Sequence, residues 1–212
     1  KQKNKYLTMK LATSMRVTEA RGYTESRNTI AYDYVVFFEK LGHLLVLIPN
    51  NTKNLSLYLK NFDIGGIVLT GGNNVNPKLY NGKNELEGVY CERDKIEAQL
   101  LYYGLQKDLP VLSICRGFHF CNVYFGGQIS HQVPNHVNVS HKLISNNLLL
   151  NEKITNTYHN QGIKKHDLAS DLEAIAFSED GIVEAFHHRN HRILGLQWHP
   201  ERQNKDFDIE LI

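Results

Sequence analysis

A chain of 212 residues, 42% hydrophobic and 22% charged, is long enough for one sizeable core and has the composition of an ordinary globular protein. Its formal net charge of +2 lacks the basic excess with which nucleic-acid binders neutralise phosphates. Three cysteines (Cys91, Cys115, Cys121) with no CxxC spacing speak against disulfides and a structural zinc site, and for a reducing compartment, the cytoplasm by default.

Residues 1–8 open with a basic, polar run and read as an N-terminal extension before one domain spanning 9–212. The apolar stretch that follows is too short and interrupted for a signal peptide or a membrane span. Lys10 to Met15 reads as a first strand, and a loop with Arg16, Tyr23, Glu25 and Arg27 lies after it. On a sheet's carboxyl edge such a loop suits contact with a leaving group, and arginine suits phosphate; surface Arg–Glu pairing fits equally well. Arg27 to Leu41 reads as a helix, with Ile30, Tyr34, Phe37, Phe38 and Leu41 as its apolar stripe. Leu44 to Ile48 reads as a buried strand, Leu55 to Leu59 as a short helix and Gly66 to Leu69 as a third strand. Glu92 to Gln106 reads as a long helix with a charged outer face, in which Arg93 and Asp94 suit capping and a structural ion pair. Val111 to Ile114 is the fourth strand.

From about His131 short β-like runs take over: 137–139, 155–158, 172–177, 182–186 and 193–198. They read as antiparallel strands laid beside or onto the parallel sheet, and a terminal helix begins near Phe207. The fold class is therefore α/β, a three-layer α-β-α arrangement around a central, mostly parallel sheet with an antiparallel C-terminal addition. The run His187-His188-Arg189-Asn190-His191 reads as a solvated hairpin turn rather than a metal site, since it lacks carboxylate or thiolate partners at ligand spacing. Neither a metal nor a cofactor is expected.

Three runs carry the chemistry. In Val111-Leu112-Ser113-Ile114-Cys115-Arg116-Gly117, small residues stand two places before and two places after a cysteine between a strand and a helix, as a tight nucleophile elbow demands. The helix would direct its N-terminal amides at the sulfur and favour the thiolate. A free cysteine buried at a strand end fits that turn equally well. Gly71-Gly72, after the third strand, would let backbone amides approach a ligand as an oxyanion hole requires, though a plain loop also fits. His199-Pro200-Glu201 ends the last strand, where i and i+2 share a face, so Glu201 would orient His199; a surface turn is the alternative.

The order Gly-Gly turn, Cys-x-Gly elbow, His-Pro-Glu resembles the class I glutamine amidotransferase superfamily over nearly the whole chain. Within it, the runs 71–80, 93–94, 114–117, 122–127, 159–162, 180–185 and 197–201 resemble the stand-alone γ-glutamyl hydrolases. Members of this kind cleave γ-glutamyl amides of small amines, such as γ-glutamyl-GABA, or of activated nucleotides, such as γ-glutamyl-CDP-amidate in bacterial capsule synthesis. The resemblance implies Cys115, His199 and Glu201 as the catalytic triad and the amides of Gly72 and Arg116 as oxyanion donors. It also implies Gly71, Asn73, His119, His159, Gln161, Arg16 and Arg27 at the substrate. Amidotransferases that use free glutamine carry glutamine four places after the nucleophile; His119 stands there instead. A small γ-glutamyl molecule is thus the expected partner, with no nucleic acid and no membrane, and a homodimer is left open. A glutaminase subunit feeding ammonia to a synthase, and a catalytically silent binding protein, are the competing readings.

Overall fold

Short β-favouring runs alternate with helical stripes through the first half of the chain, and the computed structural model, which describes residues 8–82, 86–130 and 132–212, folds them accordingly. The elements are β1 (Lys10–Ser14), β2 (Arg16–Glu19), β3 (Ser26–Thr29), α1 (Tyr32–Lys40), β4 (Leu44–Ile48), α2 (Leu55–Asn61), β5 (Ile64–Leu69), α3 (Cys91–Lys107), β6 (Val111–Ile114) and α4 (Arg116–Tyr124). There follow β7 (Val137–Lys142), β8 (Ile154–Tyr158), β9 (Leu172–Phe177), β10 (Val183–His188), β11 (Ile193–Leu196), α5 (Pro200–Gln203) and α6 (Asp206–Leu211). Residues 1–7 of the expected extension lie outside the described residues. No helix of the described residues is long and apolar enough to cross a membrane.

Seven strands form one sheet in the order β4-β1-β5-β6-β11-β10-β9. The first five are mutually parallel; β10 and β9 add on antiparallel. Alternation along the strands sorts their side chains onto two cores. Ala12, Ile67, Leu69 and Val111 meet the helices α2, α3 and α4, while Leu11, Val68, Leu112 and Ile114 meet Phe37 and Phe38 of α1.

Four expectations are corrected. Helix α1 begins at Tyr32, because residues 26–29 pair instead with residues 16–19 in an antiparallel ribbon. β4 is an edge strand, and Leu44 and Leu47 stay exposed. β11 is parallel to β6, inserted between the parallel and antiparallel parts of the sheet. Finally, the charges of α3 are not all on an outer face: Glu97 is buried, and Arg93 and Asp94 do enter structural ion pairs, but with Glu97 and Arg116 on the inner side of the helix.

The parallel strands run so that the chain emerging from β1, β5, β6 and β11 delivers Arg16, Gly71-Gly72, Cys115 and His199 to one edge of the sheet, where ligands gather in open α/β folds. The turn after β6 is very tight: a Cβ on Gly117 would lie 2.3 Å from the Leu69 carbonyl oxygen. Backbone cannot yield there, so Gly117→Ala should destabilise the chain by about 3 kcal/mol, a fall in melting temperature of about 6–12 °C by calorimetry. A variant melting like the parent would show that the elbow is looser than described.

Candidate active site

Cys115 is the hinge between β6 and α4, and it has φ +52° and ψ −103°. An L-residue held there costs about 1–3 kcal/mol and persists only where its surroundings impose it. They do so here from both sides: the Cys115 amide donates to the Leu196 carbonyl at 2.8 Å, and Gly117 lies against Leu69. The thiol thereby stands at the head of α4 instead of inside the core.

His199 reaches the same point from the end of β11. Its Nδ1 lies 2.6 Å from Glu201 Oε1, and both side chains are buried. The local geometry differs from that expected of an extended segment: His199 caps helix α5 and Glu201 lies in its first turn. The Asn156 side chain holds the His199 backbone from both directions, accepting from its amide at 2.9 Å and donating to its carbonyl at 2.8 Å. Burial by itself would lower the His199 pKa, but Cys115 and Glu201 outweigh it and push it up to about 9. Burial likewise works to raise the Cys115 pKa, and His199, followed by His159, brings it below the ordinary thiol value. The pair therefore favours thiolate and imidazolium together. Cys121, buried in the core, is pushed up to about 12.

Opposite the thiol, a Cβ on Gly71 would come within 2.9 Å of the His199 ring and 3.4 Å of Cys115 Cβ, so any side chain there would fill the site. The Gly71 amide donates to the buried Tyr34 hydroxyl at 2.9 Å. The next amide, of Gly72 (φ +79°), donates to no group among the described residues. The Arg116 amide opens α4 and has no carbonyl one turn back.

A buried ionic network lies beneath this arrangement. Arg93 pairs with Glu97 at 3.0 Å and donates to the carbonyls of Thr70 (2.6 Å), Gly71 (3.1 Å) and Gly72. Arg116 pairs with Asp94 and Glu97. With three successive carbonyls drawn to one guanidinium, the glycine turn has a single orientation.

Of the residues implicated by sequence, Arg16, Gly71, Gly72, Asn73, Cys115, Arg116, His119, His159, Gln161 and His199 line one cleft. Asn73 braces the turn against β2, accepting from the Val17 amide at 2.7 Å and donating to its carbonyl at 2.9 Å. His119 is buried; burial first, with the charge of His159, pushes its pKa down to about 3, so the ring is neutral at pH 7. Glu201 is buried behind His199 and does not line the cleft. Arg27 does not line it either: it is half-exposed, donating to Glu25 Oε1 at 2.5 Å and to the Tyr23 hydroxyl at 2.5 Å, the surface pairing that its sequence context also allowed. Of the run 187–191, His187 and His188 belong to β10 and only 189–191 turn, which corrects the expected solvated turn: His188 is buried, and its Nδ1 accepts the amides of Asn190 (3.0 Å) and His191 (3.1 Å). Sequence reasoning missed Tyr34, Tyr158 and Arg202 in the cleft and Asn156 behind it. Only Tyr34 carried a signal, a polar hydroxyl within an apolar stripe.

This fold and edge define a class I glutamine amidotransferase-like protein. A family model, Peptidase C26, matches residues 10–201, and the chain belongs to that family. It is 30% identical to the gamma-glutamyl-CDP-amidate hydrolase of Campylobacter jejuni over 90% of this chain and 88% of that one. It is 29% identical to the gamma-glutamyl-gamma-aminobutyrate hydrolase of Escherichia coli O157:H7, over 87% and 83%. A glutamine amidotransferase from Thermotoga maritima shares the fold, with a TM-score of 0.62 at 16% identity over 92% and 77% of the two chains. The family and these relatives support a hydrolase.

Two outcomes test the site's physics. Arg93→Met, which removes one of Glu97's two cationic partners and the donor to three carbonyls, should cost about 3–5 kcal/mol in denaturant unfolding; a loss under about 1 kcal/mol would mean the network braces nothing. Alkylation by iodoacetamide should label Cys115 with a midpoint below that of free cysteine, and His199→Asn should move that midpoint upward. An unchanged midpoint would separate the thiol from His199.

Proposed function

We propose that this protein hydrolyses the γ-glutamyl amide bond of a small metabolite through Cys115, His199 and Glu201. The observation that carries the reading is the thiol held at positive φ beside the His199–Glu201 pair, with the Gly71-Gly72 turn and the start of α4 lining the same cleft. Cys115 thiolate attacks the γ-carbonyl carbon, and the amides of Gly72 and Arg116 hold the oxygen that becomes negative. His199 gives its proton to the departing nitrogen as the C–N bond breaks, leaving a γ-glutamyl thioester on Cys115. The now neutral ring takes a proton from water, whose oxygen attacks the thioester and releases glutamate and the thiolate. Glu201 keeps Nδ1 protonated so that the other ring nitrogen performs both transfers. His119, His159 and Gln161 form the glutamyl end of the cleft.

The leaving group we infer is phosphorylated, a nucleotide-linked amidate of the γ-glutamyl-CDP type. Arg16 and Arg202 line the cleft, which no carboxylate of the described residues lines. Arg202 is stacked over Tyr158, 4.5 Å from the ring centre, which leaves its planar fork ready for phosphate oxygens.

The deciding experiment is glutamate release from γ-glutamyl-CDP-amidate, γ-glutamyl-GABA and glutamine. The nucleotide amidate should give the highest kcat/KM; an inert amidate alongside rapid γ-glutamyl-GABA turnover would overturn the substrate, and robust glutaminase activity would favour an ammonia donor. Cys115→Ser or His199→Asn should lower turnover by about 10³-fold or more, with Cys121→Ser nearly unchanged. Arg16→Ala and Arg202→Ala should each raise KM for the amidate about 10-fold or more while sparing glutamine. The rate should rise as Cys115 ionises below the ordinary thiol range and fall as His199 loses its proton near pH 9.

A further inference from the structure

A second cluster of polar side chains lies behind one wall of the cleft. His136 precedes β7, His141 stands on β7, His159 follows β8 and Glu184 is on β10. One nitrogen or oxygen from each lies within 4.8 Å of the other three. The Glu184 side chain is fully buried, and neither of its oxygens accepts a hydrogen bond among the described residues.

The outer hydrogen bonds determine what the rings present inward. His136 Nε2 lies 2.9 Å from Asp180 Oδ2, and a carboxylate only accepts, so that nitrogen carries the hydrogen. His159 Nδ1 lies 2.7 Å from the Gln161 carbonyl and is protonated for the same reason. With the rings neutral, as metal ligation requires, the inward atoms, Nδ1 of His136 and Nε2 of His159, are lone pairs. They lie 3.4 Å apart and 3.7 and 3.6 Å from Glu184 Oε1. His141 Nε2 is 2.8 Å from the same His136 nitrogen. Burial works to lower the His159 pKa, but Glu184 and Cys115 more than offset it, so a proton on Nε2 competes with a metal for this position. With both rings neutral, three acceptors converge on a buried point that one N–H donor, that of His141, cannot satisfy. A cation would satisfy all of them.

We propose that His136, His141, His159 and Glu184 bind one divalent transition-metal ion, zinc by preference. Zinc bonds of about 2.0–2.1 Å in a tetrahedron separate its ligands by about 3.3 Å, close to three of the four separations above. Three imidazoles and a carboxylate form a donor set suited to zinc, and Asp180 and the Gln161 carbonyl supply the outer contacts that orient metal-bound histidines. Four protein ligands close the shell, which makes the site structural. The ion would join the β7–β8 ribbon, a two-stranded sheet of its own among the described residues, to β10 of the main sheet. His159 and Gln161, at the base of that ribbon, line the cleft, so the ion would fix the position of that wall. The inference does not depend on the proposed reaction.

The test uses the full chain carrying Cys115→Ser, so that the thiol does not compete for metal. After chelator treatment and dialysis against zinc, elemental analysis should find one zinc per chain, and the melting temperature should rise. Cobalt in its place should give the intense visible bands of a tetrahedral site. His141→Ala, at a half-buried position, should melt like the parent without zinc yet bind it at least 100-fold more weakly; Glu184→Gln should behave similarly. Failure to retain zinc, or undiminished affinity in both variants, would overturn the site. A melting temperature that responds to pH but not to zinc would assign the cluster to a shared proton instead.

Discussion

Four buried charges lie beneath the cleft: Arg93 and Arg116 against Asp94 and Glu97. Taking any of them from water alone would be prohibitive, and their mutual pairing offsets most of that cost. The gain is geometric. Arg93 collects the carbonyls that follow β5, and Arg116, whose amide opens α4, is held by the same carboxylates. The two backbone amides proposed to bind the oxyanion belong to segments that follow different strands, yet one ionic network registers them. Were they carried on independent loops, each would have to be ordered separately.

The strain at Cys115 depends on that registration. Its positive φ is tolerable because the Leu196 carbonyl receives its amide and because Gly117 leaves no side chain between α4 and β5. The dipole of α4, His199 and the nearby His159 then act on a sulfur that has little freedom to move. His199 is constrained in turn by Asn156 on its backbone and Glu201 on its ring. Packing therefore fixes the distances, and electrostatics selects the protonation states.

Much of this was legible in the residues themselves. Runs such as Val111–Ile114 announce buried strands, and Ser113 and Gly117 around Cys115 announce a tight elbow, because those features are local. What was not legible depends on contacts across long separations. Glu97 looked like part of the charged outer face of α3, and Arg93 and Asp94 like a local cap and ion pair, until Arg116 supplied a partner for Asp94 and Glu97. The ribbon of β2 and β3 was hidden by polar residues that show no alternation. Asn156 and His199 lie 43 positions apart, and the histidine cluster with Glu184 draws on three separate segments. His199 and Glu201 were paired correctly but for a different local reason, a helix start in place of an extended strand end.

The central claim is that the Cys115 sulfur becomes acylated by a γ-glutamyl group. Peptide mass spectrometry after rapid acid quench, with γ-glutamyl substrate in excess, measures this directly. The account predicts a γ-glutamyl adduct on the peptide containing Cys115, at a site distinct from Cys91 and Cys121, and lost with excess hydroxylamine. Turnover that proceeds with no adduct at Cys115, or with the adduct on another cysteine, would contradict it.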